Sequence, residues 1–321
     1  MSAPPQALDR GHLLTEQPNP ASESLDELET AALVDLFCEN ELETQRAVAE
    51  AAPCLAVAVD AIAQRLRSGG RLFYLGAGTS GRLGVLDAAE CPPTFCTPPE
   101  LVQGVLAGGA PALLRSSEGL EDLFDAGPAD LKERGFAAAD ALVGIAAGGT
   151  TPYVLGGLSH ARSIGALAIA LACVPAEQAP MPCDIDIRLL TGPELLTGST
   201  RLKAGTATKM ALNILSTGVM VRLGKVYGNR MVDVAVTNAK LEDRALRILA
   251  DLAGVSRQRG RELLQQADGS VRLALLMAAS GLELAAARDA MALHGPGLRA
   301  ALAALGAQLP AGSLAPESTA S

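Results

Sequence analysis

Between residues 71 and 190 the chain alternates short apolar runs with stretches of helical periodicity. The runs 72–75, 102–106, 141–146, 166–172 and 185–190 are short and mainly apolar, as strands covered on both faces are. Helical spacing between them predicts a central parallel sheet with helices on each side, an α/β architecture. Upstream, Leu55, Ala58, Val59, Ile62 and Leu66 recur at helical spacing after Pro53 until Gly69-Gly70 ends the helix. Ser24-Leu25-Asp26-Glu27 has the spacing of a capping box and predicts a helix from there to about Asn40, with a second helical stretch reaching Ala52. Residues 1–20, rich in Pro and polar side chains, read as an extended arm. A Gly/Thr/Ser-rich loop after Leu190 leads into a long helix over 201–223. From Asn238 onward every pattern is helical (241–252, 259–266, 271–279, 284–293), punctuated by Gly254, Gly269, Gly281 and Gly295. The division implied is an N-terminal arm and helices over 1–52, an α/β domain over 53–225, a small all-helical domain over 226–306, and a tail over 307–321 expected to be disordered.

Composition narrows the function classes. Apolar residues make up 49% of the 321 residues, enough for a full core. Aromatics are only 2%, so the core must be packed from Ala, Leu, Val and Gly with backbones close together, and base-stacking platforms are nearly excluded. With 26 Lys and Arg against 35 Asp and Glu the net charge is −9, which argues against nucleic-acid binding. One small anion can still be held where backbone dipoles dominate at short range. No run reaches 18 uninterrupted apolar residues and no basic start precedes an apolar stretch, so neither a membrane span nor a secretory signal is expected, and the location expected is cytoplasmic. The six cysteines are scattered, mostly in apolar runs, and read as reduced, buried thiols rather than a metal site.

The first predicted strand leads into Gly76-Ala77-Gly78-Thr79-Ser80-Gly81-Arg82 and then a helix. Glycines there allow a tight turn, amides at the helix start attract an anion, and Thr79 and Ser80 add hydroxyl donors. The string has the form G-x-G-x-x-G, but the second strand ends in Leu106-Ala107-Gly108-Gly109 without the acid that a dinucleotide ribose needs. A Walker loop fails too, because Arg82 and Leu83 stand where Lys and Ser or Thr are required. A small-molecule phosphate fits best, against the plainer reading of a structural strand-to-helix turn. Two acidic groups lie near such loops. Asp87-Ala88-Ala89-Glu90 closes the helix that the first loop opens, and Cys91-Pro92-Pro93 is expected to hold the chain beyond Glu90 in an extended course. Glu118, Glu121 and Asp122 follow the second strand. Solvated helix-end acids are the alternative for each taken singly.

The strings YLGAGTSGRLGVLDAAECPPTF, SSEGLED, LTGPELLTGSTRLKAGTATKMALNILSTG and MVDVAVTNAKLEDRA, with TEQPNPASESLDEL near the start, resemble the bacterial N-acetylmuramic acid 6-phosphate etherases from about residue 14 to 300. That family is built on a sugar-isomerase (SIS) domain with a helical C-terminal domain and is similar to the glucokinase regulatory protein. The resemblance implies an SIS-type three-layer fold and cleavage of a D-lactyl ether, giving N-acetylglucosamine 6-phosphate and D-lactate. No metal or redox cofactor is implied. By motif position Glu90 resembles the proton donor to departing lactate, and Glu121 the second active-site acid, which the resemblance implies is the base. Glu118 would hydrogen-bond sugar hydroxyls. Phosphate recognition would fall to Gly78, Thr79 and Ser80, joined by Ser199, Thr200 and Lys203, although a helix cap also accounts for Ser199 and Thr200. The resemblance further implies a homodimer acting on a small sugar phosphate. A non-catalytic sugar-phosphate sensor regulating a kinase, and a sugar-phosphate isomerase, are the competing readings.

One loop departs from the family pattern. Where the family typically reads ASGRTP, this chain has Ala147-Gly148-Gly149-Thr150-Thr151-Pro152. A hydroxyl is missing at Gly148 and a guanidinium at Thr150, while Gly149, Thr150 and Thr151 still offer amides and hydroxyls to an anion. His12, His160 and His294 read as solvated or helix-end residues, and Asn229 as a turn residue or a ligand contact in equal measure.

Overall fold

The computed structural model describes residues 9–115, 118–234, 236, 238–295 and 297–310, apart from the side chain of Glu118. The chain forms two compact units, Met1–Ala89 with Pro99–Val219, and Glu90–Pro98 with Met220–Ser321.

In the first unit, α1 (Thr30–Asn40), α2 (Leu42–Glu50) and α3 (Ala52–Arg67) precede β1 (Leu72–Gly76) and α4 (Gly78–Phe95). Then come β2 (Val102–Leu106), α5 (Pro111–Leu114), α6 (Ala126–Glu133), β3 (Ala141–Ile145), α7 (Pro152–Ser163), β4 (Leu167–Ala172), β5 (Ile185–Arg188) and α8 (Lys203–Arg222). The five strands form one parallel sheet in the order β2-β1-β3-β4-β5, with Gly76 in register with both Leu106 and Ile145. Every residue of β1, β3 and β4 is buried, as the unbroken apolar runs require.

Successive side chains of β1 show how the layers are built. Tyr74 meets Gly84 of α4, whereas Leu75 meets Gly157 of α7. Neighbouring strand residues point to opposite faces, so α4 and α7 cover opposite sides of the sheet, giving three layers. Both contacts are made at glycines: the shortage of aromatics is met by bringing helix backbones onto the strands.

The second unit adds a hairpin, β6 (Val226–Tyr227) and β7 (Arg230–Met231), then α9 (Ala239–Ala253), α10 (Arg257–Gln266), α11 (Val271–Ser280), α12 (Leu284–Leu293) and α13 (Leu298–Ala304). Asn238, Ser256 and Ser270 cap three of these helices with side-chain oxygens, and Gly254 and Gly281 end two in the left-handed conformation. Leu246, Leu249, Leu275, Leu276 and Ala287 lie in its core, and Ala307 and Leu309 pack against it. Residues 311–321 of the expected tail lie outside the described residues.

Four expectations are corrected. Ser24 makes no capping hydrogen bond; 25–27 is a short 3₁₀ turn, and the helix begins at Thr30. Tertiary bonds hold this segment instead, Asn19 Nδ2 donating to Pro193 O and Ser22 Oγ to Leu195 O. Pro92 and Pro93 sit inside the last turn of α4 rather than in extended chain. A proline removes only one donor and one upstream bond each, and the turn closes through Cys96 N to Pro92 O, 2.9 Å, with Cys96 at φ 49° ending the helix. The hairpin at 226–231 has no counterpart in the sequence pattern, because strands of two residues show no periodicity. The thiols are not uniformly buried: Cys91 and Cys173 are, Cys183 is half-buried, and Cys38, Cys54 and Cys96 are exposed. Among the described residues no single helix is long and apolar enough to cross a membrane.

Candidate active site

In a sheet of order 2-1-3-4-5 the chain leaves β1 towards one edge and β3 towards the other. The loops at the C-terminal ends of these neighbouring strands therefore diverge, opening a crevice where open α/β sheets take their ligands. The two loops singled out from the sequence flank that crevice. The first runs from Gly76 through Gly78, Thr79 and Ser80. A Cβ on Gly76 would lie 2.7 Å from Gly81 N, and one on Gly81 would overlap Gly76 O. Only glycines allow α4 to start so close to the strand end, which points its first-turn amides into the crevice. The second loop turns at Gly149, φ 69°, whose amide donates to Ala146 O at 2.8 Å. Thr150 and Thr151, both half-buried, follow it, and Thr151 is the N-cap of α7.

Two more candidate segments reach the same end of the sheet. A Cβ at Gly205, in the first turn of α8, would lie 3.5 Å from Thr200 O and 3.6 Å from Thr79 Cγ2, so the Ser199–Thr200 turn abuts the first loop. Glu121 O accepts a hydrogen bond from Tyr153 N at 3.0 Å, which pins the Glu121 segment to the start of α7 beside the second loop; its side chain is half-buried. The side chain of Glu118 lies outside the described residues. Glu90 is exposed and opens the stretch Glu90–Pro98 that groups with the second unit.

Lys203 has a different role in the structure from the one the sequence suggested. It is 2% exposed, and its ammonium pairs with Glu43 Oε2 at 2.7 Å. The start of α8 is also occupied. Fully buried Glu194 accepts hydrogen bonds from Lys203 N and Ala204 N, both 2.9 Å. Burial pushes the Glu194 carboxyl above the usual range, opposed by those amides and by Lys203. The helix dipole thus faces an internal carboxylate, and any anion at this corner meets the Ser199–Thr200 turn rather than the first amides of α8. No local spacing announces this cap, since Glu194 precedes the helix by a whole loop.

The described part of the arm is held against the sheet end. Leu14–Glu16 form a 3₁₀ turn that lies across the loops after β3, β4 and β5. Leu13 and Thr15 are 1% and 0% exposed, Leu14 N donates to Gln178 Oε1 at 2.9 Å, and a Cβ on Gly198 would lie 2.9 Å from Glu16 Oε2. Leu13 and Leu14, an apolar pair that packs into and against the core, are the signal of this anchoring in the sequence. On the inner face of α4, Asp87 is buried and accepts from Ser216 Oγ of α8 at 3.1 Å, and burial raises its pKa. Tyr153 donates to Asp130 Oδ2 at 2.6 Å and is held protonated by burial and that carboxylate.

Comparison with known proteins adds the following. The family model described as the glucokinase regulatory protein N-terminal SIS domain matches residues 54–162, and that of the C-terminal lid domain of glucokinase regulatory protein matches 228–272. The chain is 73% identical over 301 residues to the N-acetylmuramic acid 6-phosphate etherase of Synechococcus sp. (strain CC9605), covering 94% of this chain and 95% of that protein. It is 62% identical over 295 residues to the one from Nostoc sp., covering 92% and 96%. Among solved structures, a phosphoheptose isomerase from Neisseria gonorrhoeae matches 59% of this chain and 97% of its own at 21% identity and a TM-score of 0.45.

Proposed function

The chain belongs to the N-acetylmuramic acid 6-phosphate etherase family of carbon–oxygen lyases, and on that footing we propose that it cleaves the D-lactyl ether of N-acetylmuramic acid 6-phosphate by elimination followed by hydration. Water is consumed, and the products are N-acetylglucosamine 6-phosphate and D-lactate. The ring-opened sugar carries an aldehyde that acidifies the adjacent C2–H. Glu121 takes that proton as general base, Glu90 protonates the ether oxygen as lactate leaves C3, and water then adds to C3 of the unsaturated aldehyde. One carboxyl must be protonated while the other is ionised, so the two need different surroundings. Glu121 is half-buried and Glu90 exposed.

The observation that carries this reading is the meeting of Thr79 with the Ser199–Thr200 turn at the crevice between β1 and β3, where hydroxyls and amides suit a phosphate. Thr150 and Thr151 supply the opposite wall. The setting is amino-sugar catabolism and cell-wall recycling in the cytoplasm. A second copy would cover the exposed Leu113, Leu114 and Phe124 near edge strand β2, giving a homodimer that light scattering detects.

The test is release of D-lactate from N-acetylmuramic acid 6-phosphate by wild type, Glu90→Gln and Glu121→Gln. Wild-type turnover with near-complete loss in both variants is expected; undiminished turnover in both would remove the two-carboxylate mechanism. The match to the glucokinase regulatory protein domains favours one rival, a sugar-phosphate sensor. A sensor would bind the sugar phosphate and release no lactate.

A further inference from the structure

Thr15 is 0% exposed, and its Oγ1 has no hydrogen-bond partner among the described residues. Folded proteins rarely leave a buried hydroxyl unpaired, because the desolvation is uncompensated. Its position is specific. A Cβ at Gly148 would lie 3.7 Å from Thr15 Oγ1, 3.9 Å from Thr150 Oγ1 and 3.7 Å from Leu13 Cδ1, all ordinary contact distances. Gly148 therefore leaves room for one heavy atom beside it in the loop after β3, with one hydroxyl from the arm and one from the loop at its edge. The arm that presents Thr15 is fixed rather than trailing, through Leu14 N to Gln178 Oε1, Asn19 Nδ2 to Pro193 O and Ser22 Oγ to Leu195 O. It thereby ties the loops after β4 and β5 to the one after β3.

We propose that the N-terminal arm is a built part of the sugar-phosphate site, and that Thr15 is a specificity-determining residue whose hydroxyl donates, with that of Thr150, to an anionic oxygen received beside Gly148. The inference rests on the sugar-phosphate reading of the crevice and adds a wall to it that comes from the far end of the chain. A neutral donor suits this place: it binds an anion without a cation whose own burial would need compensation.

The experiment compares full-length wild type, Thr15→Val and Thr15→Ser by calorimetric binding of N-acetylglucosamine 6-phosphate, by KM and kcat for lactate release, and by thermal melting. Valine keeps the shape and removes the hydroxyl, so Tm holds or rises while Kd and KM climb about ten- to a hundredfold, the effect of one lost hydrogen bond to a charged partner, and kcat stays within about twofold. Serine keeps the hydroxyl, so affinity stays near wild type even though a methyl contact is lost. Unchanged affinity in Thr15→Val, or equal weakening in both variants, overturns the proposal, the second because packing alone would then explain it. If wild type binds the sugar phosphate and releases no lactate, the etherase reading fails while this inference is still decided by the affinity difference. Failure of wild type to bind removes both.

Discussion

Glu194→Gln tests how far the site depends on an internal carboxylate. In the wild type each carboxylate oxygen accepts one amide, Oε2 from Lys203 N and Oε1 from Ala204 N, and the residue is fully buried. Glutamine has the same size, and its carbonyl keeps one of these bonds. Its NH₂ group must face the other amide, so a buried N–H is orphaned. Losing a charge-assisted bond costs about 1.5–3 kcal/mol, and an unsatisfied buried donor adds about 1–3 kcal/mol. Relief from burying a charge, visible in the raised pKa, offsets part of this. A net loss of about 2 kcal/mol is expected, which for a unit of this size lowers Tm by about 4–8 °C. The loop between Glu194 and Lys203 carries Ser199 and Thr200, so loosening it should also raise KM about fivefold, equivalent to about 1 kcal/mol, with kcat little changed. Differential scanning calorimetry and steady-state lactate release measure both. A Tm within about 1 °C of wild type together with an unchanged KM would show that the cap neither stabilises α8 nor positions the turn.

Asp87 should give stability a pH signature. Its folded pKa lies above the unfolded 3.8, so the stability it contributes is present at low pH and is lost as pH rises through the folded value. Urea unfolding at pH 4 and pH 7 should therefore show Asp87→Asn gaining on wild type as pH increases, and parallel curves would contradict the assignment. Gly148→Ser meets no contact closer than 3.7 Å and places a hydroxyl beside Thr15 Oγ1, so it should raise Tm by about 2–4 °C per kcal/mol of hydrogen bonding gained, read by thermal melting; a fall would show that the space is not open. Thiol titration of the native protein should label Cys38, Cys54 and Cys96 quickly. Cys173, buried and with its pKa pushed up to about 12, should react only on unfolding, and fast labelling there would contradict its burial.

Much of the candidate site was legible because it is local. The glycine run after β1 and the Gly149–Thr151 turn carry their geometry in consecutive residues, and the topological switch point places both at one crevice. Lys203 and Glu194 were not legible, since their partners lie far away or across a loop: Lys203 reaches back to Glu43, and Glu194 caps a helix that starts nine residues later. Residues 1–20 read as an extended arm, and nothing nearby in sequence shows that Leu14 meets Gln178 and Thr15 lies by Gly148.

The order of strands and helices, the sheet's double cover and the helical second unit follow from residue periodicity, because burial of apolar faces repeats along the chain itself. Tertiary structure alone decided which charges are spent internally, where the arm lies, and that two prolines continue a helix. Each of those depends on a hydrogen bond or contact between segments, whose energy no pattern within either segment records.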